Sequence, residues 1–193
     1  MKIVLASGSP RRRELLKLMG FEKFDVIPAV KEENDGGETD PGKAVVRLAL
    51  SKGEEVMERC GKNSVVIAAD TLVFLDGKKL GKPGDTEQAY DMLRALSGRS
   101  HSVYTGLCIM ADGKTVTDFV RTDVFFAELS DEEIYGYIET GEPMDKAGAY
   151  GVQGKGSVFV EKIDGDFFNV MGLPVSRLYA RLKDMGIRPE QVK

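Results

Sequence analysis

Length, composition and charge exclude several classes of protein. The chain has 193 residues, of which 42% are apolar and 30% are charged, as in ordinary globular proteins and unlike disordered ones. Its net charge of −4 argues against a general nucleic-acid binder, which usually carries a basic surface, and its sequence has no apolar run near the roughly 20 residues that span a bilayer.

Strand-like and helix-like segments alternate in the first part of the chain. We predict a strand at Lys2–Ala6 and a helix that Ser9 caps and that runs from Pro10 to Gly20. A strand at Phe24–Pro28, a polar loop at Lys31–Asp40 and a helix opening at Pro41 follow. This second helix would bury Val45, Leu48, Ala49 and Val56, which recur at helical spacing. The apolar run Val65–Ala69 then indicates a central strand buried on both faces.

Turn and capping signals organise the second part of the chain. Asp76-Gly77 and Asp112-Gly113 each predict a hairpin turn. Asp85 with Gln88, and Ser130 with Glu133, predict capping boxes that open two helices, and Pro174 starts a last helix. The remaining elements are strands at Ser100–Met110, Val116–Phe126 and Ser157–Ile163. The whole pattern predicts an α/β protein with a mixed sheet covered by helices. We expect one domain over residues 1–193, with two halves around a cleft and no separable linker.

The scarcity of cysteine and histidine limits the redox environment and the metal chemistry. Cys60 and Cys108 lie far apart and show no pairing pattern, which indicates a reducing compartment and therefore a cytoplasmic protein. The single histidine, His101, excludes most histidine-based metal sites. A bound metal would be held by carboxylates, which favours Mg²⁺ or Mn²⁺.

Polar residues concentrate directly after the first predicted strand, in Ser7–Arg13. A strand end that meets a helix N-terminus offers backbone N–H groups to an anion. Ser7, Arg11 and Arg12 add hydroxyl and guanidinium donors. A capped helix with solvated arginines is the alternative, but arginines in the first turn oppose the helix dipole. The segment therefore predicts an anion site.

Three charged residues elsewhere are further candidates. Asp70 follows the apolar central strand, where α/β sheets usually bind ligands, and its carboxylate could coordinate a metal or accept a proton from water. An aspartate that bonds its own backbone in a turn is the alternative. Lys52, on the second helix, and Lys82, between Gly81 and Pro83, are candidate phosphate ligands, although a lysine considered alone is more often solvated.

A glycine-rich run, Asp145–Gly156, is neither a periodic helix nor a clear strand. A flexible linker is one interpretation, but the position between a capped helix and a strand favours a ligand-shaped loop. Two acidic clusters are less informative. Glu32 and Glu33 lie in a polar loop, and Asp131–Glu133 is a first helical turn in which acids favour the dipole, so we interpret it as structural.

Taken together, these segments resemble the Maf family of nucleotide pyrophosphatases from Ile3 to about Leu182. The motifs that carry the resemblance are Ser7–Arg12, Ala69–Thr71, Gly81–Pro83, Ser97–His101, Asp145–Gly154 and Gly172–Pro174. The resemblance implies a Maf/ITPase-like α/β fold, with an elongated mixed sheet and two lobes around a central cleft. It also implies hydrolysis between the α- and β-phosphates of a nucleotide with a divalent cation, and it is compatible with a homodimer.

The resemblance also assigns the residues of the cleft. They are Ser7, Arg12, Glu32, Lys52, Asp70, Lys82 and Gln153, with Glu33 as the alternative to Glu32. By charge, Arg12, Lys52 and Lys82 would neutralise the triphosphate. Glu32 and Asp70 would hold the cation, and Asp70 would orient or deprotonate the attacking water.

Three positions bear on the choice of nucleobase. One branch of the family, which acts on 7-methyl-GTP, carries tryptophan, glutamine and glutamate where this chain has Arg11, Thr71 and Gln153. The present combination resembles the branch that acts on dTTP and UTP. The Gln153 amide offers both a donor and an acceptor to the mixed edge of uracil or thymine, whereas a glutamate offers only acceptors.

The sequence thus favours an enzyme that hydrolyses dTTP and UTP to the monophosphate and pyrophosphate. A pyrophosphatase for a modified nucleotide is one alternative, and a non-catalytic nucleotide-binding regulator of septum formation is another. The presence of Asp70 with a second acid favours the enzyme over the regulator. Neither nucleic acid nor a membrane is an expected partner.

Overall fold

The computed structural model describes residues 1–31, 34–61 and 63–189. In these ranges seven strands form one sheet: β1 (Lys2–Leu5), β2 (Asp25–Val26), β3 (Ser64–Leu75), β4 (Lys78–Leu80), β5 (Ser100–Ala111), β6 (Lys114–Phe126) and β7 (Val160–Asp164). Their order is β2-β1-β3-β5-β6-β7, with β4 paired to β3. β1 runs parallel to β2 and β3, whereas β4 is antiparallel to β3 and β7 to β6, so the sheet is mixed.

Helices and short 3₁₀ turns fill the connections. The helices are α1 (Pro10–Leu18), α2 (Pro41–Cys60), α3 (Thr86–Leu96), α4 (Asp131–Glu139), α5 (Phe167–Met171) and α6 (Val175–Asp184), and 3₁₀ turns lie at Glu142–Asp145, Ala147–Ala149 and Lys155–Phe159. The predicted α/β class with a mixed sheet is confirmed. Within the part of the chain that the structure describes, no helix combines the length and apolarity of a bilayer span.

Both hairpin signals and one of the two capping boxes have the predicted consequences. Asp76-Gly77 and Asp112-Gly113 have positive φ at both residues, as a two-residue type I′ turn requires. Ser130 and Glu133 form a reciprocal capping box at the start of α4. At α3, the Asp85 carboxylate accepts from the Gln88 backbone N–H, but the Gln88 side chain accepts from Gly84 instead of closing a capping box.

The predicted strand Ser157–Ile163 is wrong over its first half. Ser157–Phe159 belongs to a 3₁₀ turn, and β7 begins at Val160. Just before this segment the backbone N–H groups of Lys155 and Gly156 donate to the Glu142 carboxylate. The Ser157 N–H donates to the Gly154 carbonyl oxygen, so these groups do not pair with a neighbouring strand. The sequence also gave no sign of α5, because five residues are too few to establish a helical period.

The prediction that the Ser9 side chain caps α1 is also wrong. Pro10 does open α1, but the Ser9 side chain makes no capping hydrogen bond. The Ser9 backbone N–H instead donates to Ser7 Oγ at 3.3 Å. The chain thus turns at this point around the Ser7 hydroxyl.

The chain divides into two compact units. The first comprises Met1–Asp70, Thr105–Val120 and Gly172–Lys193, and the second comprises Thr71–Tyr104 and Arg121–Met171, each within the described ranges. Strands β3, β5 and β6 supply residues to both. The expectation of one domain without a separable linker stays a prediction.

The core of the first unit lies between α2 and the face of β1 and β3. Val4, Ala6, Val66 and Ala68 are buried there against Ala49, Val56 and Cys108. The predicted helix face is confirmed, since Val45, Leu48, Ala49 and Val56 are all buried. The run Val65–Ala69 is fully buried, as predicted for a central strand.

An aromatic cluster forms the core of the second unit. Phe126 contacts Tyr150 edge to face at 4.7 Å between ring centroids, and His101 packs against both rings. Tyr137 packs edge to face on Phe159 at 5.1 Å. Such edge-to-face pairs add to the free energy gained by burying the rings.

Gly106 of β5 allows α2 to approach the sheet closely. A Cβ on Gly106 would lie 2.2 Å from the Val45 carbonyl oxygen and 2.3 Å from its carbon. These are backbone atoms of a helix, so they cannot rotate away as a side chain can. Only glycine fits at this position.

We expect Gly106→Ala to lower the free energy of unfolding by about 3 kcal/mol, because overpacking a tight contact typically costs 1–3 kcal/mol or more. Urea denaturation measures this loss. Gly136→Ala in α4 is the matched control, because its Cβ would meet nothing within 4 Å and alanine favours a helix. Equal stability of the two variants would contradict the close approach.

Candidate functional site

A buried ion pair joins Lys52 of α2 to Asp70 of β3. Side chains alternate across a strand, so Val66, Ala68 and Asp70 point to the same face. That face is covered by α2 through Ala49, and Lys52 lies one turn further along the same side of the helix. Lys52 Nζ donates to Asp70 Oδ1 at 2.5 Å, with the two side chains 17% and 6% exposed.

A second polar group lies between β1 and α1. Arg12 Nη1 donates to Ser7 Oγ at 3.1 Å, and Arg12 Nε donates to the Gly172 carbonyl oxygen at 2.8 Å. Ser7 is buried, and Arg12 is half-buried. The guanidinium is therefore held by two distant segments of the first unit. Arg11 precedes it on α1 and is also half-buried.

The sheet register brings these two groups to the same edge. β1 and β3 are parallel neighbours in which Leu5 pairs with Ile67, and the Ala6 N–H donates to the Ile67 carbonyl oxygen at 2.8 Å. Continuing the register brings Ser7 to the level of Ala69, next to Asp70.

The prediction that Asp70 follows the central strand is wrong, because β3 continues to Leu75 and Asp70 lies within it. β1 ends at Leu5, so Ser7 and the Lys52–Asp70 pair lie where β3 extends beyond the carboxyl end of β1. α/β proteins commonly bind ligands at the carboxyl ends of strands.

A buried carboxylate on α2 anchors the segment before Glu32. Glu55, one turn after Lys52, accepts from the Val30 N–H at 2.9 Å and from the Lys31 N–H at 3.0 Å. These hydrogen bonds outweigh the effect of burial and hold the Glu55 pKa below its usual value. Glu32 and Glu33, the predicted metal ligand and its alternative, lie outside the described residues.

The other predicted residues belong to the second unit. Thr71 follows Asp70 in β3 and is half-buried, whereas Lys82 and Gln153 are exposed. The loops that carry Lys82 and Gln153 are joined, because the Gly148 N–H donates to the Gly81 carbonyl oxygen at 3.0 Å. The predicted ligand-shaped loop is thus tied to the Lys82 loop by a backbone hydrogen bond.

Sequence reasoning missed two residues that hold the glycine-rich loop. Glu142 accepts hydrogen bonds from the backbone of Lys155 and Gly156. Tyr137 accepts from the Gly151 N–H at 3.1 Å and donates to Glu142 Oε1 at 2.9 Å. No sequence pattern indicates such contacts, since they join a helix end to a loop a dozen residues later.

His101 is buried and bonds to the same loop. Its Nε2 lies 2.7 Å from the Tyr150 hydroxyl oxygen. Burial lowers the pKa of His101 to about 4 and outweighs the opposing attraction of the Asp123 carboxylate. The imidazole is therefore neutral near pH 7 and acts as a structural group.

One carboxylate among the described residues of this edge could serve a metal ion. Within residues 1–31, 34–61 and 63–189, no cluster of three His, Cys, Asp or Glu side chains is suited to a metal. Asp70 nevertheless offers a carboxylate at the edge that holds Arg12 and Lys52. Mg²⁺ is usually bound by one or two carboxylates together with substrate phosphates, so Asp70 fits such an ion.

Comparison with known proteins decides the family. A model of the family described as Maf-like protein matches residues 2–185. The chain belongs to the Maf family. Relatives named dTTP/UTP pyrophosphatase in Bacillus cereus and Bacillus anthracis are each 50% identical to it over 186 residues, which is 96% of this chain and 96% of theirs.

A solved structure supports the fold. The HAM1 protein of Coxiella burnetii aligns with a TM-score of 0.55 over 95% of this chain and 99% of its own, at 18% identity. At that identity the likeness concerns the fold alone. The Maf-family chain therefore has a Ham1-like α/β fold, as the resemblance implied.

Burial of neutral His101 makes the stability of the Maf-family chain depend on pH. The unfolded chain binds a proton near pH 6.5, whereas the folded chain does so only near pH 4. The contribution of His101 to stability is therefore complete above pH 6.5 and is lost as the pH falls toward 4.

The quantity to measure is the difference in free energy of unfolding between the wild type and His101→Gln. We expect this difference to fall by about 2 kcal/mol when the pH is lowered from 7 to 4.5. Glutamine does not titrate, so the carboxylates common to both proteins cancel in the difference. Urea denaturation at both pH values gives the four free energies. A difference that does not change with pH would contradict a neutral, buried imidazole.

Proposed function

We propose that this Maf-family chain hydrolyses dTTP and UTP to the nucleoside monophosphate and pyrophosphate. The observation that carries the proposal is the buried Lys52–Asp70 pair at the level of the Ser7–Arg12 contact, where β3 extends beyond the carboxyl end of β1. The relatives at 50% identity, which are named dTTP/UTP pyrophosphatases, support the substrate class.

Cationic side chains bind the triphosphate in this proposal. A nucleoside triphosphate brings about four negative charges, and the guanidinium of Arg12 can grip phosphate oxygens through two N–H groups. Ser7 supports that guanidinium through its hydroxyl oxygen. Lys52 and Lys82 add ammonium charges, which stabilise the phosphate oxygens in the ground state and in the transition state.

Asp70 orients and deprotonates the attacking water. The water attacks the α-phosphorus, the bond from that phosphorus to the bridging oxygen breaks, and pyrophosphate leaves with the bonding electrons. A carboxylate beside a cation is a weak base. A divalent cation held by Glu32 and Asp70 would polarise the phosphate and lower the pKa of its bound water. The Lys52 ammonium keeps the Asp70 side chain in a fixed orientation.

Gln153, Thr71 and Arg11 are the residues that we propose select the base. Gln153 lies exposed in the glycine-rich loop, so its amide is accessible to a ligand. An amide can donate to one carbonyl of uracil or thymine and accept from the N3–H between the two carbonyls. A glutamate at this position would repel the carbonyl oxygens.

Location and assembly belong to the same proposal. Cys60 and Cys108 are free thiols, which suits the reducing environment of the cytoplasm. Burial raises the pKa of Cys108 to about 12, so this thiol stays protonated and unreactive. A homodimer stays a prediction from the family resemblance.

Asp70→Asn should reduce kcat for dTTP and UTP by at least about 100-fold, because a positioned base contributes 10²–10⁴-fold. Release of pyrophosphate in the presence of Mg²⁺ or Mn²⁺, with and without a chelator, measures this loss. Asp112→Asn is the matched control, since Asp112 lies exposed at a hairpin turn and asparagine tolerates its positive φ. Near-normal turnover in Asp70→Asn would remove Asp70 from the role of base.

The same assay tests the alternative function. A wild type that binds nucleotides without releasing pyrophosphate would favour the non-catalytic regulator.

Gln153→Glu should lower kcat/KM for dTTP and UTP by about tenfold, equivalent to about 1.4 kcal/mol, because the carboxylate lacks the donor that a carbonyl requires. A panel of dTTP, UTP, CTP and GTP tests the change in preference. Thermal unfolding serves as the control, and we expect no change because the side chain is exposed. An unaltered preference would mean that the base is read by other residues.

A further inference from the structure

One carboxylate organises the loop that carries Gln153. Glu142 Oε1 accepts from the Tyr137 hydroxyl at 2.9 Å and from the Gly156 N–H at 3.3 Å, and its Oε2 accepts from the Lys155 N–H at 2.9 Å. The loop also wraps closely around it, since a Cβ on Gly154 would lie 2.3 Å from Glu142 Oε1. The residues on the C-terminal side of Gln153 are thus fixed to one side chain.

The other side of Gln153 is fixed through the same side chain. The Gly151 N–H donates to the Tyr137 hydroxyl oxygen at 3.1 Å, and that hydroxyl donates onward to Glu142. Lys146 Nζ donates to the Glu142 carbonyl oxygen at 2.6 Å. Glu142 therefore holds Gly151 and Gly156 on opposite sides of an exposed glutamine.

The charge of Glu142 is needed for this arrangement. Burial alone would raise its pKa, but the N–H groups of Lys155 and Gly156 and the Tyr137 hydroxyl lower it below the usual value. An ionised carboxylate accepts at both oxygens, whereas an amide has one acceptor and one donor. If glutamine replaced Glu142, its amide nitrogen would face a donor that a carboxylate oxygen now accepts from. That hydrogen bond would be lost, and the two N–H groups would repel each other.

We propose that Glu142 is a positioning residue for base selection: it fixes the Gly151–Gly156 segment so that the Gln153 amide meets the edge of the pyrimidine. The inference rests on the proposed function. A loop that is ordered before binding does not lose conformational freedom when the substrate arrives, and this preorganisation increases affinity. Glu142 acts through Gln153 and does not itself touch the base.

The test compares UTP with CTP, which share the ribose and triphosphate and differ only at the base edge. We expect Glu142→Gln to lower kcat/KM for UTP by about tenfold, mainly through KM, while the value for CTP changes less than about twofold. Glu139→Gln is the matched control, because Glu139 is exposed at the end of α4 and both substrates should be unaffected.

A double-mutant cycle separates positioning from a general loss of structure. In a Gln153→Ala background, Glu142→Gln should change the UTP to CTP ratio by less than about twofold, because the group that it positions is absent. An equal change of the ratio in both backgrounds, an equal loss for both nucleotides, or an unchanged ratio would overturn the inference.

A milder variant covers the case in which Glu142→Gln does not fold. Tyr137→Phe removes only the hydroxyl between Glu142 and the Gly151 N–H, and we expect it to shift the ratio in the same direction. A Tyr137→Phe protein with the wild-type ratio would overturn the inference. A wild type that releases no pyrophosphate from UTP would instead overturn the proposed function, and this inference with it.

Discussion

The ion pair between Lys52 and Asp70 is the interaction on which the candidate site depends. Two charges in a dry environment are stable only when they meet with good geometry. The pair therefore requires that α2 lie at a fixed height and rotation on β3. The core residues Ala49 and Val56 on the helix, and Ala68 on the strand, set that height and rotation. The core packing therefore positions the charged residues of the candidate site.

Small residues allow α2 to pack so close to the sheet that Lys52 reaches Asp70. Gly106 lies against the α2 backbone, and a Cβ on Gly53 of α2 would lie only 2.9 Å from Cys108 Sγ. A Cβ on Gly42, at the start of α2, would similarly lie 2.6 Å from the ring of Phe119. Larger residues would lift the helix and lengthen the distance from Lys52 to Asp70. The three glycines thus support the chemistry without taking part in it.

Two buried or half-buried glutamates have a common role in shaping loops. Glu55 accepts from the backbone of Val30 and Lys31, and Glu142 accepts from the backbone of two residues beyond Gln153. In both cases a carboxylate takes the place of a neighbouring strand as the acceptor for loop N–H groups. Such loops keep a defined conformation although they belong to no regular element.

Sequence and tertiary structure determined different parts of this protein. Local rules were sufficient for the hairpin turns, the capping box at Ser130, the buried run Val65–Ala69 and the buried face of α2, because each depends on residues close in sequence. The resemblance to the Maf family named Ser7, Arg12, Lys52 and Asp70, and their roles stay predictions.

Only the folded chain decided that Lys52 meets Asp70, that Arg12 bonds to Gly172, and that Glu142 binds the backbone of Lys155 and Gly156. The physical reason is that these contacts join residues far apart in the chain. The level of Ser7 relative to Asp70 depends on the register of β1 with β3, and the Lys52–Asp70 contact depends on the rotation of α2. Neither quantity is encoded in a local pattern.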